Sequence, residues 1–487
     1  MMFKAFYHLV SQWHENPKYL QFSSTLKGNI ILWLSVLLLL GFTQYLPLIP
    51  LMILTQLFPS RRLWIVGIGA GGLFLHKKFT QLAVSEWFWF AFDAGVILGF
   101  LYLFFLLAKS FSSLPRVVRN YPQIFLHIFL WCCILLTLLP PSDFRHNPSW
   151  AMAANLTICL VFFSFLIWRI GLMLYSGKRG SIKQTGFLDH LVYSLPYLGF
   201  TQVPYGKGLD YLLPKMAISR IDLAKSQLAG IKLLILAWIW QYTLDFMDAA
   251  LFVTHSEHAM ISLPDHLRLF HINVLVTNSV DHMPTMGVVW ASLILDMVYD
   301  TTQLAITGHL IVGCLRLCGF YVFRNTYKPL LSTTLIDFWN RYYYYFKELL
   351  VDFFFFPAYL SFFKQHPKLR IFTATMASAF LGNFYYHLLQ RFDNFIIFGT
   401  PVSYAKFSSY FFYAFVLGIA IFISILREQN QRGKPMITTS PGMLFLIRLR
   451  KIAGVWLFFS ILRIWDHSNS SFMTDTTFFF AIFGIHF

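Results

Sequence analysis

The recurrence of long apolar runs constrains this chain most. They cover residues 29–58, 87–108, 122–140, 150–175, 228–254, 286–323, 371–390, 407–426 and 452–465, with shorter pieces at 63–75, 351–363 and 473–487. Spanning a bilayer takes ~20 consecutive apolar residues per helix. The runs therefore predict an all-α, polytopic membrane protein with about 9–12 transmembrane or re-entrant helices. A soluble enzyme is excluded on the same ground: 12% of residues are charged, where a soluble domain carries roughly 25%.

Local signals divide the chain. Residues 1–28 are aromatic and mixed in charge, lack the apolar core and cleavage site of a signal peptide, and read as an interfacial N-terminal segment. Pro47 and Pro50 should kink or divide the run 29–58. We expect N-terminal transmembrane helices over 29–175, a cytoplasmic or re-entrant loop over 176–227, a core over 228–400 and C-terminal transmembrane helices over 401–487. No internal repeat is visible, which counts against inverted-repeat transporters.

The formal net charge of +17 is a topology signal. Segment 176–227 carries seven Lys/Arg against three Asp, and 427–451 carries six against Glu428. Segment 245–285 has one Arg, five Asp/Glu and five His. The positive-inside rule puts the two basic segments in the cytoplasm and 255–285 outside. Basic loops beside membrane helices also attract anionic lipid headgroups, so membrane lipids are expected partners. A nucleic-acid role has no motif behind it. The expected location is the cell (inner) membrane, with multiple passes.

Gly308 to Pro357 concentrates polar, cationic and aromatic residues beside apolar segments, and His387 follows inside another apolar run. Ionisable groups are expensive in a bilayer, so such a concentration is by default a functional-site hypothesis. The ordered residues are Gly319-Phe320, Asn325, Pro329, Phe338-Trp339-Asn340-Arg341, Asp352, Pro357 and Tyr386-His387. This order resembles the membrane-bound O-acyltransferase family, and within it the bacterial alginate O-acetylation and D-alanyl-lipid-transfer branch. The resemblance covers residues 190–400 loosely and is specific over 308–357 plus His387.

What the resemblance implies is a helical ring around a central tunnel, with a thioester donor entering from the cytoplasm and an acceptor hydroxyl from the far side. No permanently bound cofactor is implied. The donor would be acyl-CoA or an acyl carrier protein thioester, and the acceptor a hydroxyl of an extracytoplasmic glycan or lipid. Acetyl is the first expectation for the acyl group, and an accessory acyl-handling protein is an expected partner. His387 would be the general base, because imidazole is the usual proton acceptor near neutral pH. Phe384, Tyr385 and Tyr386 would line an apolar slot for the acyl group.

Departures from the family pattern fall at three positions. Tyr343 stands where the branch has a histidine, Asn340 where it has an arginine, and His309 where it has an aspartate. Asn340 is the second catalytic candidate, since eukaryotic members pair an asparagine with the histidine. Its bland alternative is a capping or loop amide. Trp339, Arg341, Tyr343, Asp352, Tyr386 and His309 are donor or tunnel candidates. Arg341, Lys347 and Lys328 suit donor phosphates, or are ordinary positive-inside residues. Asp352, one helical turn from Glu348, suits neutralising a cation.

Depth adds to the case for His387. It follows Arg370 by 17 residues, or ~25 Å at 1.5 Å per residue, which is past the middle of a ~30 Å core.

Other signals point elsewhere. Gly67-Ile-Gly69-Ala-Gly71-Gly72 fits a dinucleotide fingerprint, but its apolar setting favours close helix packing. Cys314, Cys318 and His309 make an incomplete metal set, and His255, His258, His266 and His271 lack metalloenzyme order, so no metal is expected. Segment 196–215, with three prolines and three glycines, suits a re-entrant loop. The competing class is a transporter or flippase of a glycan or lipid precursor. It would explain the apolar-run charges Asp93, Arg169, Asp296, Asp300 and Arg316 without catalysis.

Overall fold

A computed structural model describes residues 12–40, 48–79, 87–138, 166–194, 207–252, 264, 267–277, 284–391, 400–431, 440–466 and 470–485. Among these residues the fold is helical with no β-strand, and pairing outside helices is limited to two isolated bridges, Met216 with Phe320 and Phe252 with Leu269. Among the described residues three helices are long and apolar enough to cross a membrane: Ala91–Lys109, Arg220–Ala250 and Phe407–Gln431. The bent pair Pro17–Ser23 and Leu26–Leu40, turned 92° between its arms, reaches the same length and apolarity when its arms are taken together, as a broken span or a re-entrant loop. Met286–Leu317, at 32 residues, is long enough but carries Asp296, Asp300, His309 and Arg316. Residues 139–140 and 150–165 of the apolar runs lie outside the described residues.

The chain forms two compact units. The first comprises Met1–Ile235 and His309–Phe323. Here the run 29–58 holds the helices Leu26–Leu40 and Leu48–Leu57, with Pro50 in the first turn of the second, where its missing N–H costs nothing; Pro47 lies outside the described residues. The glycine-rich stretch lies within the helix Arg62–Phe79. A Cβ added at Gly67 would sit 2.6 Å from that of Val192, so the glycine lets helix Phe187–Ser194 approach closely. That is the packing role expected of it. Gly230 and Gly313 do the same for two longer helices: a Cβ at Gly230 would come within 2.9 Å of the Gly313 carbonyl oxygen. Ser226 and Gln227 then donate to the Arg316 and Leu317 carbonyls at 2.7 and 3.1 Å, filling acceptors that a helix C-terminus leaves open. Gly319 ends that helix with φ +91°, and the Phe320 N–H reaches back to the Leu315 carbonyl at 3.0 Å. This left-handed cap is why the position is glycine.

The second unit comprises Leu236–Gly308 and Arg324–Phe487. Asn325, fully buried, ties its centre together. Its carbonyl accepts from the Tyr344 N–H at 2.9 Å and its side-chain Oδ1 from the Tyr345 N–H at 3.2 Å. The non-helical segment 324–328 is thereby stitched to the helix Tyr344–Leu350. The helical path continues through a π-helical stretch, Val351–Phe355, to Phe356–Ser361. It reverses at Phe363, in left-handed conformation, and returns through Pro367–Thr375, a second π stretch at Met376–Gly382, and Asn383–Gln390. The two π stretches pack against one another, and a Cβ at Gly382 would strike the Phe354 ring at 2.6 Å. Segment 351–363 is thus part of a helical hairpin. The returning arm also lies along Thr400–Gln431.

Candidate functional site

Three local features of the second unit aim side chains into a common space. The first is Leu335–Tyr342, a helix started by Thr334, whose side chain accepts from the Asp337 N–H, so Asn340 is not its capping residue. Trp339 and Phe338 on its buried face are 6% and 2% exposed. The second is Asn383–Gln390, which follows a π stretch. π-Helical turns shift the register of the side chains beyond them and recur at functional sites. The third is Pro441–Leu462 with its terminal turn Arg463–Trp465, which brings Arg463 and Asp466 to the same place.

The result is a cavity of about 140 Å³ whose wall includes His387, Asn383, Tyr343, Asp300, Arg463 and Asp466, with an aromatic surround that includes Trp339, Tyr342, Tyr410 and Tyr413. His387 packs at 4.4 Å between ring centroids against Tyr410, and edge-on against Phe346 at 5.8 Å. Asn383 is 1% exposed and stands one helical turn before His387, on the same face. Its Oδ1 accepts from the Tyr410 hydroxyl at 3.0 Å, which fixes the amide. Its Nδ2 is buried with no hydrogen-bond partner among the described residues. An unsatisfied buried donor of this kind costs roughly 1–3 kcal/mol, and a cavity wall is where a ligand oxygen would relieve it.

A charged chain leads back from the cavity wall, where Arg463 and Asp300 lie. Arg463 Nη2 contacts Asp296 Oδ2 at 3.0 Å and also pairs with Asp300. Asp296, 2% exposed, accepts through Oδ1 from His271 Nδ1 at 2.8 Å. His271 lies 3.6 Å from Asp248 and stacks flat on Phe252 at 4.3 Å, while the Tyr299 hydroxyl donates to Asp248 at 3.0 Å. The hydrogen bond with Asp296 raises the His271 pKa above its ordinary value, with the neighbouring charges of Asp296, Asp248 and Asp300 acting in the same direction and burial opposing them.

A second cavity, about 230 Å³, lies on the other side of Trp339. It is mainly apolar, with Asn340, Lys347, Glu348, Thr375 and Ser378 as its polar lining. Lys347 and Glu348 form an ion pair, and Thr375 Oγ1 is buried without a partner among the described residues.

The sequence-derived candidates therefore separate. His387, Trp339 and Tyr343 meet in the first cavity, and Asn340 lines the second. Arg341 is held by Asp337, one turn earlier, at 2.7 Å. Tyr386 is buried against Phe346, with ring centroids 4.8 Å apart, and its hydroxyl accepts from Gln390. Asp352 lies in the first π stretch. His309 is a buried residue of the other unit and lines neither cavity. Sequence reasoning missed Asn383, Tyr410, Tyr413, Arg463 and Asp466. The i, i+4 spacing to His387 was a usable signal for Asn383 alone. His255, His258 and His266 lie outside the described residues, as do residues 196–206 of the segment 196–215. Among the described residues no group of three His, Cys, Asp or Glu side chains could hold a metal ion.

Compared with known proteins, the chain matches no family model and no curated protein.

Proposed function

We propose that this chain is a multi-pass membrane O-acyltransferase of the cell (inner) membrane, with the membrane-bound O-acyltransferase fold that its motif order resembles. It moves an acyl group, acetyl first among the candidates, from an acyl-CoA or acyl carrier protein thioester to a hydroxyl of an extracytoplasmic glycan or lipid. The observation that carries this reading is the pairing of His387 with Asn383 in one cavity wall, a proton acceptor beside an unsatisfied amide donor.

The step requires little else. His387 accepts the proton of the acceptor hydroxyl as its oxygen attacks the thioester carbonyl carbon. Asn383 Nδ2 donates to the carbonyl oxygen as negative charge develops there, held in place by Tyr410. The C–S bond then breaks, and the proton passes from His387 to the departing thiolate. Asn383 takes the role expected of Asn340. Asn340 instead shares the mainly apolar second cavity with Lys347, whose size and lining suit the acyl end and pantetheine arm of the donor. Trp339, common to both cavities, would form the gate between donor and acceptor.

The transporter or flippase reading draws on charges in apolar runs. Two of these, Asp296 and Asp300, are paired with Arg463, which weakens its motive. Incubation of the purified protein with labelled acetyl-CoA and glycan acceptors separates the two readings. Thioester cleavage with label transfer is the expected result, and an intact thioester under turnover conditions would sink the acyltransferase reading.

A further inference from the structure

The His387 cavity carries more polar chemistry than one acyl transfer needs. Arg463 spends Nη2 on Asp296 and Asp300, but its Nη1 is buried with no hydrogen-bond partner among the described residues. Asp466 is exposed and lines the same cavity. Arg463 and Asp466 both line the wall, which thus combines a guanidinium donor group with carboxylate oxygens that only accept when ionised. A hydroxyl satisfies both at once, donating to Asp466 and accepting from Arg463, and adjacent hydroxyls do so in pairs. The surrounding rings of Trp339, Tyr342, Tyr413 and Phe459 provide flat apolar faces for the C–H side of such a molecule.

Charge narrows the class. Arg463 is the cation of the wall, and two carboxylates already balance it. A uronate or phosphate entering here would meet carboxylates and an already neutralised guanidinium, and burying an unpaired anion is costly. At about 140 Å³ the cavity is smaller than the roughly 300–1,000 Å³ of sites that enclose a drug-sized ligand, so it suits one ring and not a long segment.

We infer that the cavity recognises an uncharged polyhydroxylated unit, a single neutral sugar ring, through Asp466 and Arg463. This rests on the acyltransferase reading for its role as acceptor, but not for its binding. It also departs from what the resemblance suggests, since an alginate acceptor is a polyuronate.

The test is saturation-transfer NMR on the full chain in lipid nanodiscs, with methyl glucoside and methyl glucuronide as probes and acetyl-CoA cleavage followed in parallel. Methyl glucoside should bind, methyl glucuronide should bind at least tenfold more weakly, and Asp466→Ala should weaken the glucoside about tenfold or more. Asp466→Asn keeps the side-chain volume, and a comparable weakening there separates recognition from misfolding. Glucuronide binding as tightly as glucoside, glucoside not binding, or glucoside affinity unchanged in Asp466→Asn would each overturn the inference. Asp466-dependent glucoside binding without thioester cleavage would defeat the acyltransferase reading and leave the sugar site standing. Transfer to a lipid alcohol without glucoside binding would do the reverse.

Discussion

Replacing Arg463 with methionine tests whether the charged chain behind the cavity holds the second unit together. The substitution keeps much of the side-chain length and removes the guanidinium. Asp296, 2% exposed, would then retain its 2.8 Å contact with His271 but lose its 3.0 Å contact with Arg463. Asp300 would lose its partner too, but its side chain is 42% exposed and can be solvated by the cavity. Breaking a buried pair by removing one partner costs about 3–5 kcal/mol. Because one of the two carboxylates keeps His271 and the other reaches solvent, the loss should fall near the lower end, about 3 kcal/mol. Adding Asp296→Asn should recover part of it, since the stranded charge is then removed. The assay is equilibrium denaturation in detergent, read by tryptophan fluorescence. A loss under about 1 kcal/mol for Arg463→Met, the range of an exposed pair, would refute the buried-chain argument. So would strict additivity with Asp296→Asn, because residues in one network should couple.

Three further outcomes follow from the geometry. Asn383→Ala should lower the rate of acyl transfer by about 10²–10³-fold, the usual loss of a carbonyl-oxygen donor, while Asn340→Ala should act mainly on the apparent affinity for the donor; steady-state kinetics with acetyl-CoA distinguish them, and the opposite pattern would restore Asn340 to the reacting centre. The raised pKa of His271 means that its protonated form is favoured by folding. Its stabilisation is therefore fully present below the ordinary value of 6.5 and is lost as pH rises through the higher folded value, so thermal stability should fall upward from about pH 6.5 and His271→Asn should flatten that slope. Gly319→Ala should cost about 1–2 kcal/mol, because φ is +91° and the added Cβ would meet Leu223 at 3.0 Å and Arg62 at 3.1 Å; thermal denaturation measures it.

The sequence carried the helical class, since apolar runs are a local property, and the cluster of glycines announced the close packing at Gly67. Gly319, Asn325 and Pro357 were legible as a motif, but their physical reasons were not. A left-handed cap and a buried double hydrogen bond appear only once distant backbone is in place. The depth estimate for His387 assumed a uniform α-helix, and the seven-residue π stretch at Met376–Gly382 interrupts it. For the site, His387 and Trp339 were singled out by the order of residues they belong to, and Tyr343 by its departure from the pattern that order resembles. Arg463 and Asp466 flank the end of the run 452–465 and read as ordinary membrane-edge residues. Their pairing with Asp300 spans 163 positions in sequence, a separation that no local pattern encodes.

The most direct measurement is acyl transfer by His387→Gln beside wild type, in the same lipid and with the same labelled acetyl-CoA. Glutamine keeps a polar side chain of similar reach but cannot accept a proton, so transfer should fall by about 10²–10⁴-fold while the thermal unfolding midpoint and donor binding stay near wild type. Retention of most of the activity by His387→Gln would show that His387 is a structural hydrogen-bonding residue and would contradict the assignment of this cavity as the reacting centre.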